Sequence, residues 1–237
     1  MTFAEMKDPA RPRHDMTGQE EPELGMSTTA NDDQELHGAL LAGTPGARQQ
    51  FYRRHVHTVV RWCARLGGRG VDPEDAAHEV FIVALEKVGR FKPGRFEPWL
   101  FAITRRVVAN HRRRAAARTA WAKLTGAQLD PLRPPRHDPH EASVRSEAWA
   151  AVCACLERLS AKHREVLVLC ELEDRTAVEV AAMLRIPQGT VYTRLHYAKA
   201  SFRRAAEQTG LHELIETVDF AEGVGSSPRA SSRREPS

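Results

Sequence analysis

The sequence predicts an all-α protein: two small helical domains joined by a flexible linker, with disordered termini. Three observations carry that expectation. Apolar residues recur at spacings of three and four in segment after segment, with none of the sustained alternation that marks a half-buried strand. Most of these segments open on a capping residue or a proline, and several close on glycine. Between residues 118 and 142 the periodicity lapses and Pro131, Pro134, Pro135 and Pro139 take over. A chain of 237 residues suits one or two domains of this kind.

Taken in order, residues 1–30 are rich in Pro, Glu, Thr and Gly and poor in large apolar side chains, so they are expected to be disordered. Asn31 or Asp32 can cap a short helix carrying Leu36, Leu40 and Leu41. Thr44 and Pro45 then suit the cap and first position of a helix running to about Leu66, with Tyr52, Val56, Val59, Cys63 and Leu66 as its buried stripe. Gly67, Gly68 and Gly70 end it, since glycine readily takes the left-handed conformation of a helix C-terminus. Asp72 and Pro73 start the next helix in the same cap-and-proline manner, and Glu74 and Asp75 suit the positive end of its dipole.

The loop Gly89–Pro98 reads GRFKPGRFEP. Phe91 and Phe96 stand among Arg90, Lys92 and Arg95, a pattern that can stack unpaired bases and meet phosphates. The commoner use of two such phenylalanines is to tuck a loop onto a core. Trp99 to about Ala117 is a long helix with Leu100, Ile103 and Val107 on its core face and Arg105, Arg106, Asn110, Arg112 and Arg113 largely away from it. After the linker, Val144–Leu159 is helical again, and Ser160 caps the helix that follows.

The stretch from Asp174 to Arg204 is the most specific. Thr176 and Glu179 form a capping box at the head of a short helix with Val178, Ala181 and Leu184 as its apolar face. Pro187 starts a second helix whose stripe is Val191, Leu195, Ala198 and Phe202. Two helices joined by a tight turn, the second longer and basic towards its end, describe a helix-turn-helix. The face opposite the stripe and its flanks carry Thr190, Tyr192, Thr193, Arg194, His196, Tyr197 and Lys199, groups able to bond base edges and phosphates. Gly210 stops this helix, and residues 210–237 are expected to hold one further short amphipathic segment and a disordered tail.

The net charge is +4, but it is unevenly placed. Val71–Glu86 holds five acids and no Lys or Arg, whereas Trp99–Lys123 holds seven bases and no acid. Such separation fits two partners, one basic and one polyanionic. Asp75, Glu79 and Glu86 share one helix face that can receive a basic partner protein, or simply solubilise the helix.

An enzyme is not indicated. Among eleven His and four Cys, no spacing sets out metal ligands or a nucleophile with its base, and there is neither a P-loop nor an H-E-x-x-H motif. No catalytic residue, metal site or cofactor is expected. The thiols Cys63, Cys153, Cys155 and Cys170 read as reduced residues of a cytoplasmic protein. The longest apolar run, Ala148–Leu156, is far short of the roughly 18 residues that suggest a membrane span, so no membrane insertion is expected.

The two helical halves resemble a bacterial RNA polymerase sigma factor of the extracytoplasmic-function type. The segments that carry the likeness are PEDAAHEVF, FEPWLFAITRR and IPQGTVYTRLHYAKA, in that order. The resemblance implies a region 2-like domain over residues 31–117 and a region 4-like domain over 143–209. Asp75, His78 and Glu79 would meet the beta prime clamp of core RNA polymerase. Arg90, Phe91, Arg95, Phe96, Arg105, Arg106, Asn110, Arg112 and Arg113 would melt and read the minus-ten element of promoter DNA as single strand. Gln188, Thr190, Tyr192, Thr193, Arg194, His196, Tyr197 and Lys199 would read the minus-thirty-five duplex. The beta flap and an anti-sigma protein are the further partners implied, for a stress or envelope-response regulon.

Several positions depart from that pattern. His78 stands where Gln is usual, and Arg106 and Asn110 where Asn and Asp are usual. Tyr192 and Tyr197 occupy positions that are often basic. Arg185 replaces the common turn glycine, at a cost on the order of 1 kcal/mol if the turn needs a left-handed residue. The linker of about 25 residues would average only about 30 Å as a relaxed coil. Two DNA elements two helical turns apart lie roughly 70 Å apart, so a larger body must set the separation. The rival reading is a free-standing helix-turn-helix regulator, which leaves the acidic helix, the Phe loop and the Arg helix without a use.

Overall fold

A computed structural model describes residues 24–68, 70–92, 94–126 and 144–209. Among them the chain is helical, and no strand is present. The helices are α1 (Leu24–Leu41), α2 (Ala47–Gly67), α3 (Pro73–Lys87), α4 (Phe96–Thr125), α5 (Val144–Glu157), α6 (Ala161–Leu167), α7 (Ala177–Leu184) and α8 (Gln188–Thr209). A 3-10 turn, Val88–Arg90, follows α3, and a π turn, Val168–Leu172, follows α6.

Local sequence signals account for many of the boundaries. Asp72 accepts from the backbone N–H groups of Glu74 and Asp75 at 2.9 and 3.0 Å, with Pro73 at the first position of α3. The capping box of α7 is complete. Thr176 Oγ1 accepts from Glu179 N, and the Glu179 carboxylate accepts from Thr176 N at 2.9 Å. Those bonds to Thr176 pull the Glu179 carboxyl below its ordinary range. Ser160 caps α6.

Arg185 sits at φ 54°, ψ 50°, in the left-handed region that the departure from glycine called into question. It is exposed. Arg185→Gly should therefore raise stability by about 1 kcal/mol, read as a higher urea midpoint at unchanged m-value. A lower midpoint would mean that the Arg side chain contributes more than its backbone strain costs.

Elsewhere the structure differs from the sequence expectation. Residues 24–30 belong to α1 rather than to a disordered extension, and the expected disorder of 1–23 lies outside the described residues. The cap of α2 is Gly46, at φ 84°, not Thr44, whose carbonyl instead accepts from Ala47 N. The buried stripe of α2 is Phe51, Val59, Trp62, Cys63 and Leu66, with Tyr52 38% exposed. On α7, Val180, Met183 and Leu184 are buried, while Val178 is 63% exposed. Helix α4 runs eight residues beyond Ala117, into the expected linker. The rest of that linker through Ala142, and the segment around Leu211 and Leu214, lie outside the described residues.

Residues α1–α4 enclose an aromatic core. Phe96 is fully buried and faces Phe51, Phe91 and His55 at ring distances of 4.9, 4.4 and 5.8 Å. Burial holds His55 neutral, its pKa pushed down to about 4 despite the nearby Asp33. Asp33 on α1 is itself buried and accepts from Phe96 N at 2.8 Å, so it caps α4 from a distance. Arg54 balances it at 3.3 Å.

The two halves are not held apart. One apolar cluster runs from Leu36 through α2, α3 and α4 to Leu156, Val166, Leu169, Val180 and Ala198. The relaxed-coil estimate treats the halves as indifferent to each other; here they bury surface together. Arg164 of α6 is at the centre. Its guanidinium donates to Leu156 O, Glu157 O and Leu159 O at 2.6, 3.0 and 3.0 Å, tying together the end of α5 and the turn after it. It also reaches across to Leu66 O of α2 at 2.8 Å. Burial lowers its pKa to about 10, still charged at neutral pH.

Candidate nucleic-acid and protein interfaces

Three faces concern function. The first is on α3. Asp75, His78, Ile82 and Glu86 follow one another at helical spacing and are all exposed. Ile82, 58% exposed, is the apolar member of this otherwise polar row, which charge reading missed. Glu79 lies to one side of this row. It pairs with His111 Nε2 at 2.8 Å and Arg114 at 3.6 Å, which ties α3 to α4.

The second face is the basic side of α4. Arg105, Arg112, Arg113 and Ala116 line a cleft of about 370 Å³ together with Arg164 and Glu165. Arg112 is half-buried and donates to Leu66 O and Gly67 O at 3.3 and 3.2 Å, so it also completes the end of α2. Arg113 is exposed and donates to Asn110 Oδ1. Arg90 and Arg106 are exposed. Arg95 pairs with Glu97 at 3.0 Å.

Phe91 and Phe96 do not belong to this face. They are 7% and 0% exposed and stack on each other inside the α1–α4 core. The base-stacking role expected for them is corrected: the loop is tucked onto the core, because two phenylalanines beside Trp99 and His37 bury more apolar surface inward than out.

The third face is the helix-turn-helix. Val191 and Ala198 are fully buried, with Leu195 and Phe202 packed beside them. Gln188, Tyr192, Thr193, His196, Tyr197 and Lys199 are exposed, and Thr190 and Arg194 half-buried. Gln188 donates to the Tyr192 hydroxyl at 3.2 Å, Thr193 to Gly189 O at 3.0 Å, and Lys199 pairs with Glu171 at 2.9 Å. Tyr197 stacks near His163 at 6.4 Å. Tyr192 and Tyr197 are both more than half exposed.

Nothing in these faces resembles a catalytic centre. Cys63 is buried and its thiol pushed up to about 12 by desolvation, so it is unreactive. Among the described residues, no cluster of His, Cys, Asp and Glu could hold a metal ion, and no helix is long and apolar enough to cross a membrane.

Comparison with known proteins converges on one family. Residues 51–118 match Sigma-70 region 2, and residues 150–202 match Sigma-70, region 4. The ECF RNA polymerase sigma factor SigE of Mycolicibacterium smegmatis is 31% identical over 156 residues, 65% of this chain and 59% of SigE. The chain thus spans somewhat over half the length of that relative. The ECF RNA polymerase sigma factor SigL of Mycobacterium tuberculosis is 28% identical over 165 residues, 68% of this chain and 89% of SigL. The fold is shared with CnrH, solved in complex with the cytosolic domain of CnrY, at a TM-score of 0.52 and 23% identity over 74% of this chain and 97% of CnrH. With both regions present in the same order and on the helices described above, the chain belongs to the extracytoplasmic-function sigma factors, a family of transcription-initiation factors and not of enzymes.

Proposed function

We propose that this chain binds core RNA polymerase in the cytoplasm and directs it to promoters of a stress or envelope-response regulon, under the control of an anti-sigma protein. The observation that carries the reading is the coexistence, on one chain, of an acidic protein-contact face, an Arg-lined cleft and an exposed recognition helix. A lone DNA-binding regulator would need only the last.

Residues 31–117 form the module for core binding and the minus-ten element, and 143–209 the module for the minus-thirty-five element. Asp75, His78, Ile82 and Glu86 present the clamp-binding face, with Glu79 bracing it against α4. Arg90, Arg95, Arg105, Arg106, Asn110, Arg112 and Arg113 take the displaced single strand; each phosphate neutralised releases a counterion and makes the complex salt-dependent. Gln188, Thr190, Tyr192, Thr193, Arg194, His196, Tyr197 and Lys199 lie in the duplex major groove. The beta flap meets the region 4-like module. An anti-sigma partner is proposed by analogy with the sigma factor RpoE of Bartonella quintana, which shares the fold at a TM-score of 0.51 and was solved in complex with the anti-sigma factor NepR.

Arg194→Ala or Thr193→Ala should lower initiation at a cognate promoter roughly tenfold while leaving comigration with core polymerase unchanged, since one lost base or phosphate contact is worth about 1–3 kcal/mol. Equal loss of promoter selection and core binding would contradict the assignment of α8 to DNA.

A further inference from the structure

The C-terminal half carries an apolar groove that none of the three faces uses. It runs along α8, between α5 and the π turn, and encloses about 390 Å³. Val152, Leu172, Phe202 and Ala206 line it, and each is only half-buried. Lys199 and Arg203 stand exposed on its rim, and Lys199 pairs with Glu171 at 2.9 Å. Apolar side chains gathered in a concave surface gain from a further element that takes them out of water.

The chain supplies such an element next to the groove. Helix α8 ends at Thr209, within one turn of Ala206, and residues 210–237 follow it. Gly210 comes first, a residue suited to the left-handed conformation that turns a chain back after a helix. Leu211, Leu214, Ile215 and Val218 then stand at the spacing of an amphipathic stripe. Residues 211–222 hold Glu213, Glu216, Asp219 and Glu222 and no Lys or Arg, opposite in sign to Lys199 and Arg203 on the rim. The lengths agree as well. At a helical rise of about 1.5 Å, the groove follows α8 from Ala206 back to Lys199 for about 10 Å, and residues 211–218 span about 12 Å.

From this match of position, apolar pattern, charge and length we propose that residues 211–218 fold back as a helix antiparallel to α8 and seat Leu211, Leu214, Ile215 and Val218 in the groove. Two antiparallel helices joined by a short loop are an ordinary way to close such a surface. The seated segment covers Phe202 and Val152 and keeps other amphipathic helices out of the groove. None of this depends on the promoter-reading function proposed above.

The test uses the full chain with the photo-crosslinker p-benzoylphenylalanine in place of Ile215. After irradiation, monomer and dimer bands are separated and the crosslinks mapped by mass spectrometry. Crosslinks within the monomer to α5, the π turn and α8 are expected, at a yield independent of protein concentration. The same probe in place of Glu216, which faces away from the stripe, is expected to give far fewer. Two variants then unseat the segment. Ala206→Arg fills the groove from a half-buried helix position, and Leu214→Asp with Val218→Asp charges the stripe without touching the folded part. Circular dichroism confirms that both keep the bulk of their helix. Each should lower the crosslink from position 215 roughly tenfold, as for a segment seated in about a tenth of molecules. Hydrogen exchange gives a second reading: amides 214–218 should exchange roughly tenfold slower in the parent than in the double Asp variant. Crosslinks confined to dimers and rising with concentration would assign the groove to a second copy and overturn the proposal. Crosslinks elsewhere on the chain, a crosslink undiminished in both variants, or amides 214–218 exchanging equally fast in parent and double Asp variant would overturn it too.

Discussion

Arg164→Ala is expected to cost about 3–5 kcal/mol of folding stability, more than most surface substitutions in this chain could. Arg164 is 3% exposed, and its guanidinium serves four carbonyls, from the ends of α2 and α5 and the turn after α5. Truncation leaves Leu159 O, in the buried turn after α5, without that donor, and a buried carbonyl left unpaired costs about 1–3 kcal/mol, whereas Leu156 O keeps Leu159 N at 3.2 Å. Leu66 O retains Arg112, which limits the loss there. Urea unfolding followed by circular dichroism measures it. Arg164→Lys should recover part of the loss, because a charged head remains but the fork does not. A cost below about 1 kcal/mol would mean that solvent replaces the guanidinium and that α6 is less firmly seated than its burial implies.

Phe96→Ala should cost a similar amount, about 3–5 kcal/mol, by removing the ring on which Phe51, His55 and Phe91 converge. The size matters because it separates two roles for the loop. A ring held out for base stacking would be nearly neutral for stability and severe for single-strand binding. A core ring does the reverse. Phe91→Leu, which keeps most of the apolar volume, serves as the companion: it should leave affinity for a single-stranded oligonucleotide unchanged. A stable Phe96→Ala protein with lost strand binding would restore the stacking role.

What the sequence made legible was local. The capping box of Thr176 and Glu179, the Asp72–Pro73 start and the left-handed turn at Arg185 each depend on residues within a few positions. The recognition-helix stripe from Val191 to Phe202 was equally readable, because one face of a long helix repeats its own spacing. An error of one position entered where two adjacent apolar residues compete for a face, as with Phe51 and Tyr52, and Trp62 was missed beside the correctly placed Cys63. A wide apolar stripe tolerates either choice until the neighbouring helices are placed.

The contacts that decide accessibility were out of reach. Asp33 capping α4, Glu165 on Arg105 and Glu173 on Arg61 join residues at least 60 positions apart. A charged residue in a helical segment gives no sign of whether it faces water or a distant opposite charge. The same limit hid the fate of Phe91 and Phe96: an aromatic loop reads alike whether its rings point outward to a base or inward to a core. Ile82 could have been found, since a branched aliphatic placed in line with Asp75, His78 and Glu86 breaks an otherwise polar face.

The central claim is that this chain reads promoters only as part of RNA polymerase. It is tested most directly by in vitro transcription from a randomised promoter library, with bacterial core enzyme and the purified chain. The account predicts enrichment of two sequence blocks separated by about two helical turns, present only when chain and core are combined. Transcripts no more selective than those of core alone, or a single enriched block bound by the chain without core, would contradict it.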